Sequence, residues 1–213
     1  MKKIFFYGSS GYFKEQFVWV KDFLNLYKNQ YVLAGIIDDP KSLHIKKDNF
    51  SGLNIFKLAE IPKNNDIEIH LSIGDPTLRD KAIKELKEYK IFSYRHPSAI
   101  VSSHAKIGEG VTISPKTIIA GDALIGDYNN FNFGSFVSHD CIMKQNNTLS
   151  PGAKIMGNCK IGNNNFFGVD AKMIPRTEVI DRNQVGANCT ITKNFLSDNV
   201  LVGTPAKVIK KTI

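Results

Sequence analysis

The sequence contains no run of eighteen apolar residues, so nothing in it reads as a transmembrane helix. Met1-Lys2-Lys3 leads directly into a strand-like stretch, without the apolar core or small-residue cleavage site of a secretory signal; the expected location is cytoplasmic. Cysteine is scarce: Cys141, Cys159 and Cys189 are an odd count with no Cys-x-x-Cys spacing, which argues for reduced thiols over a disulfide framework or a thiolate metal site. The net charge of +8 is spread along the chain. It forms no basic block, and no nucleic-acid reading module accompanies it, so no nucleic-acid partner is expected.

What the sequence does have is a period. Every sixth residue from Val101 to Ile191 is apolar, sixteen in succession in a chain that is 42% apolar. By chance this would occur on the order of once in a million registers, so the stretch is a structural repeat. Neither an α-helix nor an ordinary strand produces a period of six. Four places after each apolar residue, from Ala105 to Cys189, the side chain is usually small or amide-bearing, and all three cysteines fall in this column. Three hexads make an 18-residue coil, and stacked coils make a triangular parallel β-helix with one large and one small side chain per face inside. Five uninterrupted coils are expected over about 100–192, with no protruding loop.

Asn129, Asn147, Asn165 and Asn183 are each eighteen residues apart and stack at one corner of such a helix. Two explanations remain open: an amide ladder along the helix axis, or the suitability of asparagine for left-handed turns.

Residues 1–97 read differently. A buried strand over Lys2–Tyr7 is followed by Gly8-Ser9-Ser10-Gly11 and an amphipathic helix from 12 to about 27. A strand over Tyr31–Ile37 ends in Asp38-Asp39-Pro40, and a third over 67–73 ends in Gly74-Asp75-Pro76, followed by a helix over 77–89 capped by Thr77 or Asp75. The polar segment 40–64 has no clear assignment. The pattern predicts a small, incomplete doubly wound α/β domain, able to hold one nucleotide across its strand ends. A helix N-terminus after small residues suits a phosphate, although Gly-x-x-Gly falls short of the full dinucleotide fingerprint. Asp38 and Asp39 stand where an acid commonly reads a ribose or base, or they form a solvated turn. The boundary is expected near 97, with residues 98–213 forming the β-helix and a C-terminal tail.

Several segments together resemble the bacterial hexapeptide-repeat sugar acetyltransferases, which include nucleotide-linked 4-amino-sugar N-acetyltransferases and sialic acid O-acetyltransferases. They are Gly8 to Gly11, Ile36-Ile37-Asp38-Asp39, Ser72-Ile73-Gly74-Asp75, His96-Pro97-Ser98-Ala99, Asn132-Phe133-Gly134-Ser135 through His139-Asp140-Cys141, and Val202-Gly203-Thr204-Pro205-Ala206-Lys207. The resemblance implies a left-handed helix, a homotrimer with sites between subunits, and acetyl-coenzyme A as donor, without a metal. It departs in two places. Gly8-Ser9-Ser10-Gly11 replaces the frequent Gly-Ala-Gly-Gly, and Thr148 stands where some members carry a second histidine.

On this resemblance His139 is the general base and Asp140 its orienting carboxylate. The register places both outward, between inward Val137 and Cys141, but neighbours on a regular strand face opposite ways, so the two meet only if the chain turns there. Acetyl transfer needs a proton acceptor, and imidazole suits neutral pH. Without the resemblance the pair would read as an exposed turn. Asn132, outward on the same coil, is implied as an acceptor-sugar contact or is a turn residue. Gly157 lies one coil beyond His139, where its N–H would face a thioester oxygen, or it is a turn glycine. Gly168, Gly186, Ala187 and Lys193 resemble positions that line the coenzyme A groove, with Lys193 otherwise a solvated lysine. Gly8, Ser9, Ser10, Asp38 and Asp39 are the expected nucleotide contacts.

The leading expectation is N-acetylation of a 4-amino-4,6-dideoxy sugar carried on UDP or dTDP. The alternative on the same scaffold is O-acetylation of a sialic acid. A zinc carbonic anhydrase needs three converging histidines, whereas the repeat contains only His104 and His139. A purely structural β-helix needs neither an appended nucleotide-type domain nor an outward His-Asp pair.

Overall fold

The computed structural model describes residues 1–27, 29–38 and 51–212. Five parallel strands make the N-terminal sheet: β1 (Lys2–Tyr7), β2 (Tyr31–Ile37), β3 (Ile55–Phe56), β4 (Ile67–Leu71) and β5 (Lys90–Ile91), in the spatial order β3-β2-β1-β4-β5. Helix α1 (Gly11–Leu26) packs Phe13, Phe17, Val20 and Leu24 on one face of the sheet, against Phe6 and Ile36. Helix α2 (Pro76–Glu85) contributes Ala82 on the other face, with Leu86, Ile69 and Leu71. Covered on both faces, β4 is buried throughout, as expected of an inner parallel strand. The sequence reading missed β3 and β5 because a two-residue strand carries no alternation to detect. Asp75 caps α2, accepting from the amides of Thr77 (2.8 Å) and Leu78 (2.9 Å), and the helix ends four residues short of 89.

From Tyr94 onward the chain winds into three parallel sheets of two-residue strands. One runs from Ile100–Val101 to Thr190–Ile191, a second from Lys106–Ile107 to Glu178–Val179, and a third begins with Tyr94–Arg95 and Thr112–Ile113 and continues through Gln184–Val185 to Asn199–Val202. Each strand pairs in register with the one eighteen residues on, for example Ile118 with Phe136 and Ile119 with Val137. No loop interrupts the hexads from Ile100 to Ile191. The apolar column fills the interior, with Phe131, Leu149, Phe167 and Val185 stacked one coil apart and at most 1% exposed. The architecture is a left-handed parallel β-helix joined to an α/β domain.

The corners settle what the asparagines do. Left-handed backbone recurs every six residues, at Lys116, Asp122, Tyr128, Asp140, Asn146 and onward to Asn188, with φ between 55° and 63° at the non-glycine positions. The stacked asparagines occupy the next position and are not left-handed. Each side-chain oxygen instead accepts from the backbone N–H and Nδ2 of the asparagine above, at 2.8–3.2 Å, from Asn129 through Asn147, Asn165 and Asn183. The ladder ends one step further, on Asn199, which sits sixteen residues after Asn183. All five are 4% exposed or less, so the amides satisfy one another in the core. Cys141 and Cys159 are buried free thiols that donate to the carbonyls of Met156 and Ile174.

The two parts are bonded together along the third sheet. Tyr12 donates to Asn130 Oδ1 at 2.8 Å, Thr148 donates to the Gly74 carbonyl at 2.7 Å, and Trp19 meets Phe133 edge-on with ring centroids 6.0 Å apart.

Candidate active site

Val137 and Cys141 are fully buried, and the turn between them projects His139 and Asp140 into solvent, with side chains 60% and 54% exposed. Asp140 is one of the left-handed corner residues, φ 56°. That turn breaks the strand alternation and swings its carboxylate back beside the imidazole. Asp140 Oδ2 lies 2.7 Å from His139 Nδ1. A carboxylate only accepts, so Nδ1–H is the donor, and the neutral ring keeps an unprotonated Nε2 for a substrate. A β-carbon at Gly157 would sit 2.7 Å from His139 Nε2. Gly157 is not left-handed, so its smallness serves the imidazole and not the turn. Its N–H makes no hydrogen bond among the described residues and lies at the same edge as Nε2. An imidazole, the carboxylate that accepts from it and a backbone amide without a hydrogen bond among the described residues therefore share one corner, groups that acyl transfer can use.

Lys193 belongs to the same column as His139 and Gly157, three coils on; it is exposed, with Nζ 5.7 Å from the centre of the Phe195 ring. Asn132, Gly168, Gly186 and Ala187 lie elsewhere, at the corner on the other side of the first sheet. Asn132, expected to face outward on the same coil as His139, is buried instead. It is 8% exposed, its Oδ1 accepts from the Phe133 amide at 2.9 Å, and within one chain it does not meet His139. Gly168 is required by close stacking, since a β-carbon there would come within 2.7 Å of the Ala187 nitrogen. Gly186 faces Val202, and Ala187 is exposed.

The strand ends of the α/β domain form a cleft of about 630 Å³ lined by Gly8 to Gly11, Lys14, Asp38, Ser72 to Asp75 and Leu78. Gly8 has φ +92°, which turns the chain sharply into α1. Ser10 is the N-cap of α1 but its side chain caps no amide, so the helix N-terminus stays open to an anionic group. Ser9 is committed inward: its amide donates to Asp38 Oδ2 at 2.8 Å and its hydroxyl donates to the same oxygen. Asp39 lies outside the described residues. A second cleft of about 450 Å³ on the far side of Asp38 is lined by Tyr7, Ile37, Lys57, Leu58 and Glu85, which the sequence reading missed. Tyr7 donates to Glu85 at 2.6 Å, and burial together with that carboxylate pushes its phenol above the usual range. Only folding brings these scattered positions together, and no spacing announces them.

The fold resembles that of the hexapeptide-repeat sugar acetyltransferases. No protein-family model and no curated protein matches the sequence. Among solved structures the chain resembles, over nearly its whole length, a variant of perosamine N-acetyltransferase from Caulobacter crescentus in complex with CoA and GDP-perosamine, with TM-score 0.86, 24% identity, and 99% and 98% of the two chains covered. The acetyltransferase domain of PglB from Neisseria gonorrhoeae in complex with acetyl coenzyme A is similar at TM-score 0.84 and 23% identity, with 98% and 99% covered. WeeI from Acinetobacter baumannii gives 0.83 and 23%, with 98% and 100% covered. These likenesses show that the two-part architecture is shared end to end. No helix among the described residues is long and apolar enough to cross a membrane.

Proposed function

We propose that this protein transfers the acetyl group of acetyl-coenzyme A to the 4-amino group of a nucleotide-linked 4-amino-4,6-dideoxy sugar. The observation that carries the reading is the exposed imidazole bonded through Nδ1 to Asp140, with Nε2 against Gly157. The sugar amine attacks the thioester carbonyl, and Nε2 of His139 takes its proton as the C–N bond forms. Asp140 stabilises the imidazolium, the Gly157 N–H donates to the carbonyl oxygen as it gains charge, and the C–S bond breaks. The proton then passes to the departing thiolate. The step as written uses no metal.

The nucleotide is held at the strand ends, its phosphates at Ser10, Gly11 and the N-terminus of α1, where the sharp turn at Gly8 and Ser9 leads the chain into the helix, its nucleoside toward Asp38 and Asp39. In the Caulobacter complex the carried sugar is GDP-linked. The assay therefore offers GDP beside the UDP and dTDP carriers that the resemblance suggests. The working unit is a trimer. His139, Gly157 and Lys193 lie on one edge of the helix, and Gly168, Gly186 and Ala187 on another, so a pantetheine touching both rows runs between the edges of neighbouring chains. Exposed Leu124 and Ile142 beside the histidine corner, and Ile100 and Ile118 across it, supply apolar surface for that contact.

The test is a comparison of kcat/KM for GDP-, UDP- and dTDP-linked 4-amino sugars with free and CMP-linked sialic acid, all with acetyl-coenzyme A. Preference for a 4-amino sugar is expected. Preference for either sialic acid overturns the N-acetyltransferase reading in favour of O-acetylation, and a monomer by light scattering at micromolar concentration overturns the trimer.

A further inference from the structure

Arg79 is 2% exposed, yet among the described residues no carboxylate hydrogen-bonds to it. From α2 its guanidinium reaches in two directions. Toward the β-helix, Nε donates to Asn146 Oδ1 at 2.6 Å, one terminal nitrogen to Thr148 Oγ1 at 2.8 Å, and the other to the Asn147 carbonyl at 3.0 Å. Toward the α/β domain, it donates to the carbonyl of Ile73 at 3.0 Å. Two of its helix partners grip the same loop: Thr148 donates to the Gly74 carbonyl at 2.7 Å and Asn146 Nδ2 to the Pro76 carbonyl at 2.8 Å. The loop between β4 and α2 is thus fastened to the β-helix by one cation and the two side chains it binds. That loop, Ser72 to Asp75, is a wall of the strand-end cleft.

We infer that Arg79 is a positioning residue, which fixes the nucleotide-side cleft in register with the helix so that a carrier-linked sugar reaches the histidine edge. The inference rests on the proposed function for its consequence in catalysis, and on the hydrogen bonds for the clamp itself. A substrate anchored at the strand ends and reacting on the helix touches both parts, so their relative placement sets the attack distance, and an error of about 1 Å there costs on the order of 10²-fold in rate. Stability alone does not account for the residue. A buried cation carries a desolvation cost that well-packed apolar side chains avoid, and burial lowers the Arg79 pKa to about 10. What an apolar side chain lacks is a planar fork of donors that holds acceptors on two domains at fixed angles.

The experiment uses the full chain with Arg79→Met, Arg79→Lys and Thr148→Val. Steady-state kinetics are measured with each substrate varied in turn, together with hydrogen exchange through residues 72–78 and binding of GDP, UDP and dTDP alone. For Arg79→Met the kcat/KM for the nucleotide amino sugar is expected to fall tenfold or more, on the scale of a misplaced reactant. Exchange through 72–78 speeds up, while the KM for acetyl-coenzyme A stays that of the wild type. Arg79→Lys, with one donor group and no fork, recovers only part. If Arg79→Met fails to fold, Thr148→Val is read in its place on the same measurements. Wild-type acceptor kcat/KM with wild-type exchange overturns the inference. So does a loss shared equally by both substrates with a fallen melting temperature, which marks a merely structural role. If the wild-type chain turns over none of the nucleotide sugars, the proposed function fails, and exchange and nucleotide binding still decide the clamp.

Discussion

The β-helix and the α/β domain solve the same problem, buried polar groups, in opposite ways. In the helix each coil repeats the one below, so an asparagine meets an asparagine and its amide finds its partners one strand spacing away. The α/β domain has no repeat to draw on. The buried side-chain polar atoms without a hydrogen bond within the described chain belong to Gln16, His70, Ser72 and Tyr94, all in that domain or at its seam with the first coil. A repeat satisfies its polar groups by translation, whereas a single-copy fold must arrange each partner separately.

The contrast is broken most strongly at the helix corner that carries the exposed His139 and Asp140, proposed above as the base and its orienting carboxylate. His139→Ala is expected to lower kcat by about 10² to 10⁴, the range of general-base catalysis, with the melting temperature unchanged. Single-turnover kinetics beside a thermal melt check both halves. Asp140→Asn should lose less than His139→Ala, because it removes the orienting charge and leaves the base. Near-normal turnover by His139→Ala at pH 7 would exclude it as the base.

The ladder offers the converse experiment. Asn165→Leu leaves the Ile180 carbonyl and the Asn183 N–H without a partner, while Asn147 Oδ1 keeps only the backbone N–H of residue 165. At about 1–3 kcal/mol per orphaned group, the expected loss is roughly 2 kcal/mol or more by chemical denaturation. A loss under about 0.5 kcal/mol would show that the ladder is incidental to stability.

Gly157→Ala sharpens the difference between packing and chemistry within one corner. The added methyl meets only the tip of an exposed histidine, so the fold yields easily while the base moves. A kcat loss of about tenfold to a hundredfold with little change in melting temperature is expected, from misplacement alone.

His70 tests the α/β side. Burial among Phe6, Phe92 and Tyr94 lowers its pKa to about 3, so the folded protein keeps it neutral where the unfolded chain, near the ordinary 6.5, takes a proton. Its contribution is complete above about pH 6.5 and is lost as pH falls toward 3, amounting to roughly 2 kcal/mol by pH 5. His70→Leu should flatten the wild-type stability profile between pH 6.5 and 5; an unchanged slope would show that His70 does not govern it.

The smallest effect belongs to the corners. Arg176 is left-handed at φ 63°, and Arg176→Gly relieves that backbone; the gain expected by denaturation is about 1 kcal/mol or less. A clear loss would mean that the arginine makes contacts outweighing its strain.

The sequence by itself determined the helix: its register, its inward column and the stacking of its asparagines. Every coil offers the same surroundings to the same position, so sixteen weak preferences add coherently and the period survives any single exception. It also located β1, β2, α1 and the capped start of α2, whose local signals are strong, and marked His139 and Asp140 as outward. The tertiary structure alone decided the rest. The Asp140 carboxylate meets His139 only because a left-handed corner turns it back. Asn132 is buried where the register put it outward, at a vertex of the triangle other than that of His139. Arg79 gained its role because two domains close around it. Each of these is a single contact between distant residues, fixed by the orientation of whole elements, and no period or spacing repeats it often enough to be read from the chain.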